Sequence, residues 1–256
     1  MGLLLPEAKV WNLEGELLTT LQHQKQINYA DFSHAGDLIV TASNDNTAKL
    51  WNLEGELLAT LHHQNWVITA EFSPDGNTIV TASDDKTAAL WNLEGEQLLI
   101  LKGHQDAVNS AQFSPDGNAI VTASLDDNTA RLWNRQGQLQ TTLWHSSAVL
   151  KANFSPDGET IVTAAEDGNA RVWSLKGELL ATLTHDELVN SASFSPDGNA
   201  IVTASNDGSA KVWPFPSLSE LIQQTCDRVG NYLKNSPNVT ESDRRLCDRV
   251  AKPQGP

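Results

Sequence analysis

Between residues 67 and 91 apolar and polar positions come in short runs: VITAEFS, then TIVTAS, then TAALWN. Runs of this length that alternate, or stay apolar throughout, predict half-buried and buried β-strands. Turn chemistry separates them. Residues 73–77 read SPDGN, where Pro presets φ and Asp-Gly supplies the positive φ of a tight turn. DDK at 84–86 makes the next turn, and NLEGE at 92–96 leads into a fourth run, QLLILK. The SPDG turn recurs at 114–118, 155–159 and 195–199. At 33–37 it reads SHAGD, without the proline and the first aspartate, so a looser turn is expected there.

The whole unit repeats. Its closing tryptophans are Trp51, Trp91, Trp133, Trp173 and Trp213, spaced by 40, 42, 40 and 40 residues, and Trp11 closes a truncated copy. Four short antiparallel strands on a period of about 40 to 45 residues are the signature of a β-propeller blade. One such sheet cannot bury both faces alone, so neighbours stack. The expected fold is all-β, a propeller of four-stranded antiparallel blades with five full repeats plus one partial. The division is 1–22 as a partial blade (third and fourth strands), 23–213 as five repeats, and 214–256 as a helical extension.

Four polar residues recur at fixed offsets in each repeat. The sets are His23, Thr41, Asp45, Trp51; His63, Thr81, Asp85, Trp91; His104, Thr122, Asp127, Trp133; His145, Thr163, Asp167, Trp173; and His185, Thr203, Asp207, Trp213. A buried indole N–H, a hydroxyl and an imidazole each need partners, and an Asp at a tight turn can orient the imidazole. Asp, His and a hydroxyl also make a nucleophilic triad. An enzyme needs one such site, however, and five equivalent copies tied to the blade period read as architecture.

In these sets the chain resembles the WD-repeat (WD40) family from Ala8 to Trp213. The resemblance implies a hydrogen-bonded Trp–Ser/Thr–His–Asp network in each blade and a surface that binds proteins or peptides. The family's Gly-His pair survives only at Gly103-His104, and its Trp-Asp pair reads Trp-Asn, Trp-Ser or Trp-Pro here.

Charge narrows the partners. The formal net charge is −15. Residues 1–213 hold 11 Lys+Arg against 27 Asp+Glu, and 214–256 hold 6 against 5. A surface this acidic repels phosphate backbones, so no nucleic acid is expected, and partners are expected to present basic surfaces. No phosphate-cradling glycine loop, calcium-loop spacing or zinc set is present in the sequence, so no cofactor, no metal and no catalytic residue are assigned. No apolar run reaches membrane-spanning length and MGLLLP is too short for a signal peptide, which points to a cytoplasmic protein with no membrane partner. Pro6 occupies the position where myristoylation wants Ser or Thr. Without a secretory signal, the NVT at Asn238 reads as chance.

After Trp213 the repeat pattern stops. Leu218, Leu221, Ile222, Cys226, Val229 and Leu233 fall at helical spacing over 217–233, and Thr240 with Asp243 resembles a capping box opening a second helix through Leu246 and Val250. Cys226 and Cys247 are the two cysteines, expected as free thiols, with a bridge as the alternative. The tail resembles the carboxy-terminal extension of bacterial, especially cyanobacterial, proteins that join a signalling NTPase to a WD-repeat array. The plainer reading is a helical cap on the last blade. The blade count suggests the end of a longer array or a shortened product. In the alternative, residues 16–22 close a five-blade ring by completing the last sheet. An open arc exposes apolar faces that invite self-association or upstream repeats.

The function expected is a non-catalytic protein–protein interaction scaffold, the sensing end of a larger signalling protein. The alternative is a propeller enzyme or small-ligand binder using the central channel. Non-repeated His, Asp, Glu or Arg at inner positions would favour the alternative, and the sequence reads there as regular repeats only. Candidate partner-binding residues lie in the loops before each first strand: Lys25 with Gln26, Asn65, Trp66, Asp106, Ser147 and Glu187. Asn44, Asp84, Asp126, Glu166 and Asn206 lie beside them in the turns before the third strands. Trp66, an aromatic in a polar loop, is either an interface anchor or a local packing residue.

Overall fold

The computed structural model describes residues 6–215, and the tail readings, including Cys226, Cys247 and the helix at 217–233, lie outside them. Two strands open the fold, β1 (Glu7–Trp11) and β2 (Leu17–Gln22), paired antiparallel. Four four-stranded sheets follow. The first holds β3 (Ile27–Phe32), β4 (Leu38–Ser43), β5 (Thr47–Asn52) and β6 (Leu57–His62). The second holds β7 (Val67–Phe72), β8 (Thr78–Ser83), β9 (Thr87–Asn92) and β10 (Gln97–Lys102). The third holds β11 (Val108–Phe113), β12 (Ala119–Ser124), β13 (Thr129–Asn134) and β14 (Leu139–Trp144). The fourth holds β15 (Val149–Phe154), β16 (Thr160–Ala165), β17 (Asn169–Ser174) and β18 (Leu179–Thr184). A three-stranded sheet of β19 (Val189–Phe194), β20 (Ala200–Ser205) and β21 (Ala210–Pro214) ends the described chain. Every sheet is an up-and-down meander in sequence order.

The core lies between sheets and uses one rule throughout. Val40, Ala42, Ala48 and Leu50 on one face pack against Ile79 and Trp91 of the next sheet. Val80, Ala82, Ala88 and Leu90 meet Ile120 and Trp133 in the same way. Val121, Ala123, Ala130 and Leu132 meet Ile161 and Trp173. Register makes the rule: Ala42 lies opposite Ala48 and Ile79 opposite Trp91 across their strand pairs. The small pair leaves room for the large one opposite. Burying each such Ile or Trp stabilises by roughly 2–3 kcal/mol. On the last sheet the matching residues have no following sheet among the described residues, and Val202 is 45% and Val212 73% exposed.

The turn at 33–37 is not looser. Gly36 has a φ of 75°, and the backbone bonds Gly36 N to Ser33 O (2.8 Å) and Ser33 N to Leu38 O (2.9 Å) match those at 73–78. Asp37 replaces the missing aspartate from the far side of the glycine, accepting the Ser33 hydroxyl at 2.7 Å.

Candidate functional site

The recurring polar residues come together in the core of each blade. In the second sheet the Trp91 indole N–H donates to Thr81 Oγ1 (2.8 Å), which lies 2.7 Å from His63 Nε2, and His63 Nδ1 lies 2.8 Å from Asp85. His23–Thr41–Asp45–Trp51, His104–Thr122–Asp127–Trp133 and His185–Thr203–Asp207–Trp213 repeat these contacts. The geometry mimics a nucleophilic triad, but each hydroxyl is 0–1% exposed and its oxygen already accepts an indole N–H. No substrate atom reaches it.

Burial opposes the charge on these aspartates, yet hydrogen bonds outweigh it. At Asp45 the Thr47 hydroxyl, the Gln24 N–H and His23 together hold the carboxyl down to about 2. Asp85 and Asp127 are likewise held far below the ordinary carboxylate range. Burial keeps His23 and His104 below their ordinary value.

The fourth set departs from expectation. His145 still meets Thr163 (2.8 Å), and Trp173 donates to Thr163 (2.9 Å), but Asp167 does not pair with His145. Arg171 takes Asp167 instead, at 2.6 and 3.1 Å, and His145 Nδ1 turns to the Leu143 carbonyl at 3.2 Å. Two residues explain the exchange. Asn169 stands where Thr47, Thr87, Thr129 and Ser209 brace the other aspartates by a hydroxyl bond. Arg171 lies close enough on β17 to grip both carboxylate oxygens. Burial, with the Arg171 charge adding to it, pushes His145 down to about 4.

The first strands of the sheets vary where the second strands hardly do. β4, β8, β12, β16 and β20 read LIVTAS, TIVTAS, AIVTAS, TIVTAA and AIVTAS. The first strands read INYADF, VITAEF, VNSAQF, VLKANF and VNSASF. Ala at the fourth place and Phe at the sixth are kept, while the second, third and fifth places vary. Most of these variable side chains line one cleft of about 540 Å³. The expectation of nothing but regular repeats at inner positions is therefore corrected. Tyr29, Asp31, Glu71, Gln112, Lys151 and Asn153 stand there unrepeated. Within any single repeat these residues look like ordinary strand surface, and only the column comparison marks them.

Several of them stitch sheets together. Asn28 donates to the Val67 carbonyl (2.9 Å), Asn109 to Leu150 O (2.7 Å) and Asn153 to Ala192 O (2.6 Å), while Gln112 accepts the Phe154 N–H at 3.0 Å. One further inter-sheet pair leaves acceptor capacity open toward the cleft. Tyr29 Oη donates to Glu71 at 3.1 Å, and burial pushes Glu71 up to about 7 and the Tyr29 phenol above its usual range. Thr69 Oγ1 is buried at the cleft wall without a hydrogen-bond partner.

Of the loop residues expected to bind partners, Trp66 (46% exposed) and Asn44 line this cleft. Lys25, Gln26 and Glu187 are exposed. Asn65 is engaged with Asp84, and Asp106 caps the Ala107 N–H. The Ser147 hydroxyl is buried and unpartnered. Among the described residues no cluster of three or more His, Cys, Asp or Glu is placed to hold a metal, and no helix is long and apolar enough to cross a membrane.

The family model described as "WD domain, G-beta repeat" matches five times, at residues 15–52, 55–92, 95–134, 137–174 and 177–214. No curated protein sequence matches the chain significantly.

Proposed function

Because the chain belongs to the WD40 repeat family, we propose that it is a non-catalytic protein-interaction module whose partner docks at the cleft between the first strands. WD40 repeats in general act as scaffolds for protein–protein contacts. The supporting observation is where the repeats differ. Strands that build the inter-sheet core are nearly invariant, whereas diversity gathers at inner positions that open on one cleft. Packing needs sameness from blade to blade; recognition of one particular partner needs difference. Trp66 at the rim has the size and exposure of an interface anchor. The sensing role in a larger signalling protein, which rests on the resemblance of the tail, and the cytoplasmic location, which rests on the acidic composition and the lack of a membrane-length apolar run, belong to the same proposal.

Selection of binders from a displayed random-peptide library tests this reading. Recovered peptides should bind Trp66→Ala about tenfold or more weakly, with the melting temperature unchanged. Peptides that bind this variant undiminished, and are displaced by substitutions on the outer strands β6, β10 and β14, would put the interaction surface elsewhere.

A further inference from the structure

We propose that the cleft recognises one basic side chain of the partner, an arginine whose guanidinium reaches Glu71 while its stem lies along Tyr29, Ile68 and Trp66. This inference rests on the interaction reading above and names the chemistry of the group that is bound.

The acceptor is Glu71 on β7, in the wall of the cleft. It faces Tyr29 and Asp31 from β3, Gln112 from β11 and Lys151 from β15. A carboxylate offers about four acceptor sites; Tyr29 fills one and the Gln112 amide bears on a second, which leaves two. Among the described residues no Lys or Arg nitrogen lies within ion-pair distance of Glu71 or Asp31. Leaving a carboxylate desolvated without a cation is costly, and burial accordingly makes Glu71 hold its proton up to about pH 7. An arriving cation takes the place of that proton.

Three further features select the kind of cation. The unpartnered Thr69 hydroxyl lies on the same strand, two residues away, and lines the same cleft. A guanidinium, with five N–H donors in a planar fork, can serve a carboxylate and a neighbouring hydroxyl together, whereas an ammonium is a point charge. Ile68 and the exposed face of Trp66 give an apolar wall for the aliphatic stem and a π-face for the head. A cleft of about 540 Å³ takes a long side chain and some water but no folded element. The excess of acidic residues in the repeats, 27 against 11 basic ones, draws basic segments toward it. Among the described residues Lys151 is the one cation lining the cleft, and it opposes the ligand from across it.

The probes are Nα-acetyl-arginine amide, its lysine counterpart, and the neutral isostere Nα-acetyl-citrulline amide, titrated against the full chain by NMR with the Trp66 indole signal as reporter. The expected result is saturable binding of the arginine probe, with the lysine probe weaker and the citrulline probe weaker by about 10- to 100-fold. Glu71→Gln, which keeps the volume and an acceptor for the Tyr29 hydroxyl, should weaken the arginine probe equally without lowering the melting temperature. Lys151→Ala should tighten it. Affinity should fall as pH drops from 8 to 6, because Glu71 regains its proton. Equal binding of arginine and citrulline probes, or binding indifferent to Glu71→Gln, overturns the inference. If no arginine probe binds while library peptides still bind through Trp66, the cation inference fails and the interaction module stands. If the arginine probe binds but no peptide does, the cation site stands and the interaction reading fails.

Discussion

Replacing Thr81 by valine lowers the free energy of unfolding by about 2–5 kcal/mol, although the two side chains have nearly the same shape. Thr81 is wholly buried, accepts the Trp91 indole N–H and bonds His63 Nε2. Valine leaves both partners buried and unpaired, and each orphan costs about 1–3 kcal/mol. The imidazole is still tied to Asp85, so it cannot turn to find water. Urea unfolding measures the loss. A change below about 0.5 kcal/mol would mean that the network merely accompanies the fold, since surface substitutions already scatter that much.

Acid should unfold the protein in two stages. His145 has a folded pKa near 4, well below its ordinary 6.5, because of burial and the Arg171 charge. The unfolded chain therefore binds more protons, and the contribution of this group is fully present above pH 6.5 and lost as pH falls toward 4. His23 and His104 act in the same direction. Together with partial solvent screening, His145 alone contributes about 2–3 kcal/mol. Asp45 and Asp167, both held at about 2, add a second loss below pH 3.8. Glu71 works the other way: its raised pKa adds stability that grows as pH falls from about 7 to its ordinary 4.5 and offsets part of the histidine loss, so Glu71→Gln should steepen the first stage. Arg171→Ala frees Asp167 for the His145 ring and should move the His145 titration up toward 6.5, read by NMR. An ordinary His145 titration in the native chain would contradict the geometry described for the fourth blade.

The strands, turns and period were readable because every repeat spells the same alternation and the same turn. The recurring polar residues were readable because their offsets are fixed. Asp167 escaped because its partner is decided by two neighbours, Asn169 and Arg171, and not by spacing. Both substitutions stand in the sequence, and the missing hydroxyl at Asn169 is the signal that finds them. The turn at 33–37 misled because Asp37 performs the same bond from a different place. The cleft escaped for another reason. INYADF and VITAEF read alike as half-buried strands, and only stacking five sheets brings Tyr29 of one onto Glu71 of the next.

On the function proposed above, the nearly invariant strands build the fold and the variable first strands carry recognition. Hydrogen–deuterium exchange with and without a bound library peptide tests that division most directly. Added protection is predicted in β3, β7, β11 and β15 and in the loops that precede them, with β6, β10, β14 and β18 unchanged. Protection concentrated on those outer strands, with the first strands exchanging as in the free protein, would contradict it.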